Sequence, residues 1–441
     1  MPAIAKRAIR HVVAIILVAG SSGCATYTPL PLATHPDLAH RIEDLQGGGD
    51  VHMPLDEAAV LRLVLLNNAA LEASRAQRGL ARAQVLDASI LPNPSLQAGV
   101  GFLVSGAGDG PAWSAGFAQS LQGLAARGAR RDEVRASASA TDARLLWESW
   151  VTLSRARQLI VDVVAGEQRL ELQERAARLL EARATSLQKA VARGDESVDS
   201  ASAVFAAASD ARTTCDDARH TLLGQRAELA ALLRLSADAP LPLAPLPALP
   251  PFDAVQAQKA MASAGNHRPD LAALRFGYAA QEAKLRGAIL SQFAPLSLGL
   301  DATRDSDKVL NIGPTVSFEL PLFDRQQGKI AIEEATRKQL HDEYTTRLNA
   351  TTADAQILVS AIVDNEQASR ELTDLAPMDA TSRALARGDI DTAAYDNLSI
   401  ATLGRSANDM TRDIYRREQR IAFDALTGAG LPDALPPPMT R

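Results

Sequence analysis

Residues that could do chemistry are sparse in this chain of 441. The seven histidines, His11, His35, His40, His52, His220, His267 and His341, are scattered, and no two stand at metal-ligand spacing. No G-x-S-x-G elbow, P-loop or dinucleotide fingerprint occurs. The paired acids Glu333-Glu334 and Asp216-Asp217 fall in helical runs and are expected to face water. The chain is therefore expected not to be an enzyme and to need no cofactor or metal. Two places remain where residue type and spacing carry a signal. One is Cys24; the other is an Ala-Arg-Gly-Asp segment that occurs twice, at 192–195 and 386–389.

Cys24 is the candidate for lipidation. Lys6, Arg7 and Arg10 precede a short apolar run from Val12 to Ala19, too short to span a bilayer as a helix, and small residues follow. That is the layout of an export signal. Ser21-Ser22-Gly23-Cys24 is similar to a bacterial lipoprotein signal, in which the cysteine is fatty-acylated after cleavage. Ser21 stands where that signal usually carries leucine, and ordinary cleavage nearby is the alternative. Loss of residues 1–23 takes the net charge from −6 to −9, which argues against a nucleic-acid partner. The other cysteine, Cys215, lies in a helical run. With Cys24 acylated, no disulfide forms within the chain and the fold must stand on packing.

The repeated Ala-Arg-Gly-Asp segments interrupt long helical stretches. Ala, Leu, Arg, Glu and Gln dominate a sequence that is 46% hydrophobic and only 4% aromatic, a composition of long helices packed on one another. The spacing predicts a helix over 54–89, ended by the two prolines of "LPNP" at 91–94. The period then changes to two: Leu96, Ala98, Val100, Phe102 and Val104 alternate with Gln97, Gly99, Gly101 and Leu103, and Trp113, Ala115, Phe117 and Leu121 alternate with small or polar residues on the return. From about Ala126 to Ala192 an uninterrupted helix of roughly 100 Å is expected, tolerating Gly166. "RGDES" turns the chain, and 197–235 runs back as helix.

"SADAPLPLAPLPALPP" at 236–251 is extended connector, and then the programme repeats. Residues 268–289 match 69–89, with Leu71 against Leu271, Arg75 against Arg275 and Ala83 against Ala283. A second hairpin alternates more cleanly than the first. Leu296, Leu298, Leu300 and Ala302 are opposed on return by Leu310, Ile312, Val316, Phe318 and Leu320. A long helix from about Gln327 to Ala386 reaches "RGDID".

The expected organisation is thus a signal peptide at 1–23 and an N-terminal tether at 24–53, followed by a first structural repeat at 54–235. That repeat holds a β-hairpin at 95–121 and a turn at 193–197. A connector at 236–252 leads to a second repeat at 253–427, with a hairpin at 295–320 and a turn at 387–391, and a disordered tail at 428–441. The fold class is mainly α with a small β part.

Four strands cannot close a barrel around a lumen, and an open sheet edge is forbidden in lipid. Runs of about 10 residues with one apolar face fit the length needed to cross a bilayer at a tilt, provided strands are pooled from several chains. The alternative is that two amphipathic hairpins cap a soluble periplasmic coiled-coil scaffold by laying their apolar faces on it.

At this point the sequence resembles the TolC-like outer-membrane efflux proteins over essentially the whole mature chain. "LPNPSL" at 91–96, "RPDL" at 268–271, "VSFELPLFDRQQGKIA" at 316–331 and the Gly-Asp turns at 194–195 and 388–389 carry the likeness. The first hairpin's exit, "AQSLQGLAARGAR", lacks the proline of "LPLF", which leaves that strand's end open. The resemblance implies a homotrimer with a shared 12-stranded β-barrel in outer-membrane lipid and an α-helical periplasmic tunnel. It also implies two partners, a periplasmic adaptor (membrane fusion) protein and an inner-membrane transporter of the proton-driven resistance-nodulation-division class. Heavy-metal cations or small organic toxins are the implied cargo, and a type I protein-secretion duct of the same architecture is the alternative.

On that likeness Arg193, Gly194, Asp195, Arg387, Gly388 and Asp389 form the tips where the adaptor docks. Read from the residues alone, glycine permits a tight reversal, and Asp195 and Asp389 cap the helices that follow. Asp391 and Asp396 on the returning helix are candidates for an acidic periplasmic constriction, or else form a solvated helix face.

Overall fold

Among the described residues eight α-helices and four strands follow one another in two rounds of the same order. The structure, a computed structural model, describes residues 26–105, 108, 110–293, 296–371, 383, 387, 388 and 392–429. The chain divides into an N-terminal unit ending at Leu38, extended and exposed over 26–38, and a unit from Ala39 onward that holds every element below.

The first round runs α1 (Glu57–Asn67), α2 (Ala69–Ser89), β1 (Ser95–Gly101), β2 (Ala112–Ser120), α3 (Leu121–Arg193) and α4 (Val198–Leu232). The second runs α5 (Ala254–His267), α6 (Pro269–Leu290), β3 (Leu296–Arg304), β4 (Leu310–Phe318), α7 (Gln327–Glu371) and α8 (Thr392–Thr427). Small polar side chains set the helix starts. Asp56 accepts from the Ala59 amide at 2.8 Å, Asp253 from Val255 and Gln256 at 2.9 and 3.1 Å, and Pro269 occupies the first turn of α6.

Four elements differ from the sequence reading, one of them strand β4, which stops at Phe318 and leaves Leu320 beyond it. The expected single helix over 54–89 is two helices, because Asn68 takes an extended conformation (φ −63°, ψ 119°) and caps α2 by accepting from the Leu71 amide at 3.1 Å. Leu121 is the first residue of α3 rather than the end of a strand, because Ser120 caps that helix by accepting from the Gly123 amide at 3.3 Å. The long helix accordingly starts five residues earlier than expected, and its 73 residues span about 110 Å. Strand β1 stops at Gly101, leaving Phe102 and Val104 in the connecting loop.

The strands form one antiparallel sheet in the order β1-β2-β3-β4. The helices fall into the same order beneath it, with α3 as the spine. Near the sheet α3 lies between α2 and α6, joined by Arg130–Asp87 at 2.7 Å and Arg78–Asp142 at 2.8 Å on one side and by Gln122 donating to Phe293 on the other. Farther down it lies between α4 and α8. Helix α7 continues the row beyond α6 and then beyond α8. One margin is therefore α2 with α4, and the other is α7.

The core sits halfway along. Val60, Leu63 and Val64 of α1, Ala156, Leu159 and Ile160 of α3, and Leu229 and Leu233 at the end of α4 are buried together with Ile42, Leu45 and Leu55. The connector closes this belt. Residues 39 and 55 make isolated parallel bridges to 235 and 243, and Arg417 and Arg420 of α8 donate to the carbonyls of Pro247 and Pro250 at 2.8 and 2.6 Å. Where the belt crosses, apolar packing is dense; toward the turns it gives way to ion pairs.

Candidate functional site

The sheet's alternation sorts its side chains into two unlike faces. Cross-strand partners put Leu96, Phe117, Leu300 and Pro314 in one row and Val100, Trp113 and Arg304 in another, with Ala98, Ala115, Ala302 and Ile312 between them. On the opposite face Gly99 stands against Ser114 and Thr303, and Gln97 against Gly116 and Asp301. The apolar face is uncovered: Leu96 is 73% exposed, Ile312 65% and Val316 59%. The hairpins do not lie on the helices as caps would. An apolar face so exposed would be costly in water and is matched to lipid.

Two further features belong with that face. Phe293, Leu320, Leu322 and Phe323 stand exposed at the roots of the hairpins, where strand gives way to helix. Strands β1 and β4 each pair on one side only among the described residues, so both outer edges of the sheet keep unsatisfied backbone groups. No helix of the described residues is long and apolar enough to cross a membrane.

At the far end of α3 the chain reverses through Gly194 at φ +80°. The Asp195 amide donates to the Ala190 carbonyl at 2.9 Å and the Gly194 amide to Val191 at 3.0 Å, the paired bonds of a Schellman stop. No atom lies within 4 Å of where a Gly194 Cβ would be, so glycine is required by the backbone angle rather than by space. Asp195 does not cap the next helix. Its carboxylate is taken by Arg193 Nε at 2.8 Å, and Ser197 caps α4 by accepting from the Ser200 amide at 3.1 Å. Residues 192–200 are exposed throughout.

The second turn repeats the backbone requirement, with Gly388 at φ +77° and again open space around it, and Arg387 exposed beside it. Asp389 and Asp391 lie outside the described residues, as does Cys24. Asp396 is half-buried in the second turn of α8, and its neighbour Asn397 is held by Arg183 of α3. Among the described residues no group of histidine, cysteine or carboxylate side chains could hold a metal ion.

Sequence reasoning missed the polar contacts that α3 makes with distant parts of the chain, because they pair residues 100 to 275 positions apart. Arg157 of α3 reaches Glu57 at 2.7 Å and Asp424 at 3.2 Å, and the Trp150 indole donates to the Ala425 carbonyl at 3.1 Å. Lower down, Asp162 of α3 and Glu418 of α8 share a hydrogen bond. Burial, followed by that carboxyl neighbour, raises Glu418 to about 7. Arg155 opposes the shift but is itself held by both oxygens of Glu228.

No protein-family model matches this chain, and no curated protein does. Solved structures do. The outer membrane protein VceC from Vibrio cholerae is 16% identical over 85% of this chain and 97% of its own, with a TM-score of 0.63. The open state of the MtrE outer membrane channel from Neisseria gonorrhoeae is 15% identical over 85% and 89%, with a TM-score of 0.62. CusC, whose structures concern folding and transmembrane channel formation, is 16% identical over 92% and 100%, with a TM-score of 0.60. The chain has the fold of these channels, the TolC-like architecture that its sequence resembles.

Proposed function

We propose that this chain is the outer-membrane exit duct of a tripartite efflux system, built as a homotrimer. The observation that carries the reading is a four-stranded sheet with an uncovered apolar face and two open edges, continuing into a helical layer of the same order that is open at the same two margins. A lone chain leaves those edges unsatisfied. Three copies side by side would close both layers at once, giving twelve strands around a lumen and a helical tunnel below it.

In this reading the small and polar face of the sheet lines the lumen, and the apolar face meets lipid. The turns at Arg193, Gly194 and Asp195 and at Arg387, Gly388 and Asp389 are the periplasmic tips on which an adaptor docks. The adaptor connects the duct to an inner-membrane transporter of the proton-driven resistance-nodulation-division class. The cargo is heavy-metal cations or small organic toxins, selected upstream. Cys24 carries the lipid anchor, and Asp391 and Asp396 sit near the periplasmic constriction. The duct itself conducts passively and performs no catalysis.

Fractionation of cells making the full-length chain, followed by sizing of the detergent-extracted protein with and without heating, tests this reading. A trimer-sized species from the outer membrane, reduced to monomer on heating, is the expected result; a soluble periplasmic monomer would overturn it. Docking has its own test. Gly194→Pro and Gly388→Pro each force a φ near −65° where the chain needs a positive value, so they should leave the trimer intact yet abolish export. Full complementation of an efflux-deficient strain by either variant would remove the tips from the docking site.

A further inference from the structure

The small-residue face of the sheet carries a single fixed charge. Along its paired positions stand Ser, Gly, Ala, Thr, Gln and Asn, and among the described residues Asp301 alone is ionisable; Arg304, the nearest cation in β3, belongs to the opposite face. Asp301 is flanked by glycine on both neighbouring strands, Gly116 on β2 and Gly313 on β4. A Cβ on Gly116 would overlap the Asp301 carboxylate, so the acid lies flat over bare backbone. At Gly313 a Cβ would meet nothing within 4 Å, so the other flank is open. No hydrogen bond or ion pair to Asp301 occurs among the described residues.

A carboxylate in a membrane-crossing sheet must face water or an ion, since the lipid side would not tolerate it. A countercharge supplied by the protein would make it structural. Among the described residues there is room beside Asp301 and no countercharge, so the partner has to come from solution, and a fixed unpaired anion facing an aqueous passage concentrates cations. We infer that Asp301 sets a preference for cations in the membrane section of the pore, so that cationic solutes are the class favoured there. The inference rests on the duct reading above and adds to it a selectivity element that lies far from the tips.

The test is the reversal potential of the detergent-extracted protein in planar bilayers under a KCl gradient. Wild type should favour potassium over chloride. Asp301→Asn, which keeps size and hydrogen bonding, should lower that permeability ratio by about twofold or more, and Asp301→Glu should keep it. An unchanged ratio in Asp301→Asn at unchanged unitary conductance would overturn the inference while leaving the duct in place. So would a loss of preference confined to Asp396→Asn, which would put selection at the tip. Absence of any conductance from the wild-type protein would instead sink the duct reading, and this inference with it.

Discussion

The two repeats solve one packing problem with different chemistry. In each, a short helix meets the helix that climbs to the sheet, and the junction residue is extended and lies beside the end of the repeat's last helix. Asn68 does this alone: its Oδ1 caps α2, and its Nδ2 donates to the Leu232 carbonyl at 3.0 Å. At the equivalent place Arg268 cannot cap. It donates to the Leu426 carbonyl at 2.9 Å, grips Asp270 through two bonds of 2.9 and 2.6 Å, and lies 4.8 Å from the centre of the Trp147 ring. Asp270 in turn sits 3.6 Å from Arg347 of α7. The first repeat uses a neutral amide where the second buries an ion pair, with side chains 6% and 7% exposed. Duplication preserved the geometry of the junction, while the groups that satisfy it diverged.

That difference predicts unequal sensitivity. Arg268→Ala leaves the buried Asp270 carboxylate with only the more distant Arg347 and should cost about 3 kcal/mol. Asn68→Ala removes a cap and one further hydrogen bond and should cost about 1–2 kcal/mol. Thermal unfolding of the two variants in detergent would break the comparison if their losses came out equal. Arg268→Asn combined with Asp270→Ala recreates the first repeat's Asn-x-Ala in the second. The double variant should be more stable than Arg268→Asn alone, because no charge is left unpaired. If it is less stable, Asp270 is held mainly by Arg347, and the two junctions are less alike than their backbones.

The duplication was legible because offset and punctuation survive in the sequence. Leu71 and Leu271 are 200 apart and Gly194 and Gly388 are 194 apart, so the two rounds could be laid on each other segment by segment, with the second about six residues shorter between these points. The alternation in 296–304 and 310–318 gave the strands for the same reason: a half-covered strand has a period of two whatever covers it. What could not be read was anything that depends on who meets whom. The break at Asn68 carries no proline or glycine, so the helical pattern runs straight through it. The capping role expected of Asp195 went to Ser197 because Arg193 holds the aspartate, a choice settled by geometry two residues away.

At the tips the repeats should behave alike. Gly194→Ala and Gly388→Ala each place a Cβ at positive φ in otherwise open space, at a cost of about 1–2 kcal/mol with no packing contribution. Matched losses in amide protection of the flanking turns would support a shared role. A loss at only one tip would separate them.

Within a repeat and between repeats the helices are held differently. Helices α3 and α4 are joined by opposite charges, Arg155–Glu228 at 2.6 Å and Arg219–Glu174 at 2.7 Å among them, whereas the α3–α8 contact sets beside its ion pair, Arg157–Asp424 at 3.2 Å, the acid pair Asp162–Glu418. Glu418 is raised from an ordinary 4.5 to about 7 by burial and then by Asp162. The folded chain therefore holds a proton there that the unfolded chain would release, so the contribution to stability is full below about 4.5 and is lost as pH rises through 7. For a pair partly open to water the loss is on the order of 1 kcal/mol. Glu418→Gln should flatten that slope. The α3–α4 contact, paired by opposite charges, should show no such slope, and hydrogen exchange across pH 5–8 would distinguish the two interfaces.

The smallest expected effect bears on Asp391. Displacement by 194 places it where Ser197 stands, directly before the first described residue of its helix, Thr392 in place of Val198. Ser197→Ala should therefore cost about 1 kcal/mol, and Asp391→Ala about 0.5–1 kcal/mol, through loss of a cap. Asp391→Asn retains the capping oxygen and should cost less than about 0.5 kcal/mol. An acidic constriction responds to charge alone, so both Asp391 variants would then change ion preference equally. A capping residue makes them differ in melting temperature and agree in conductance. Equal shifts in reversal potential with unchanged melting would assign Asp391 to the passage, and would make the second tip functionally unlike the first.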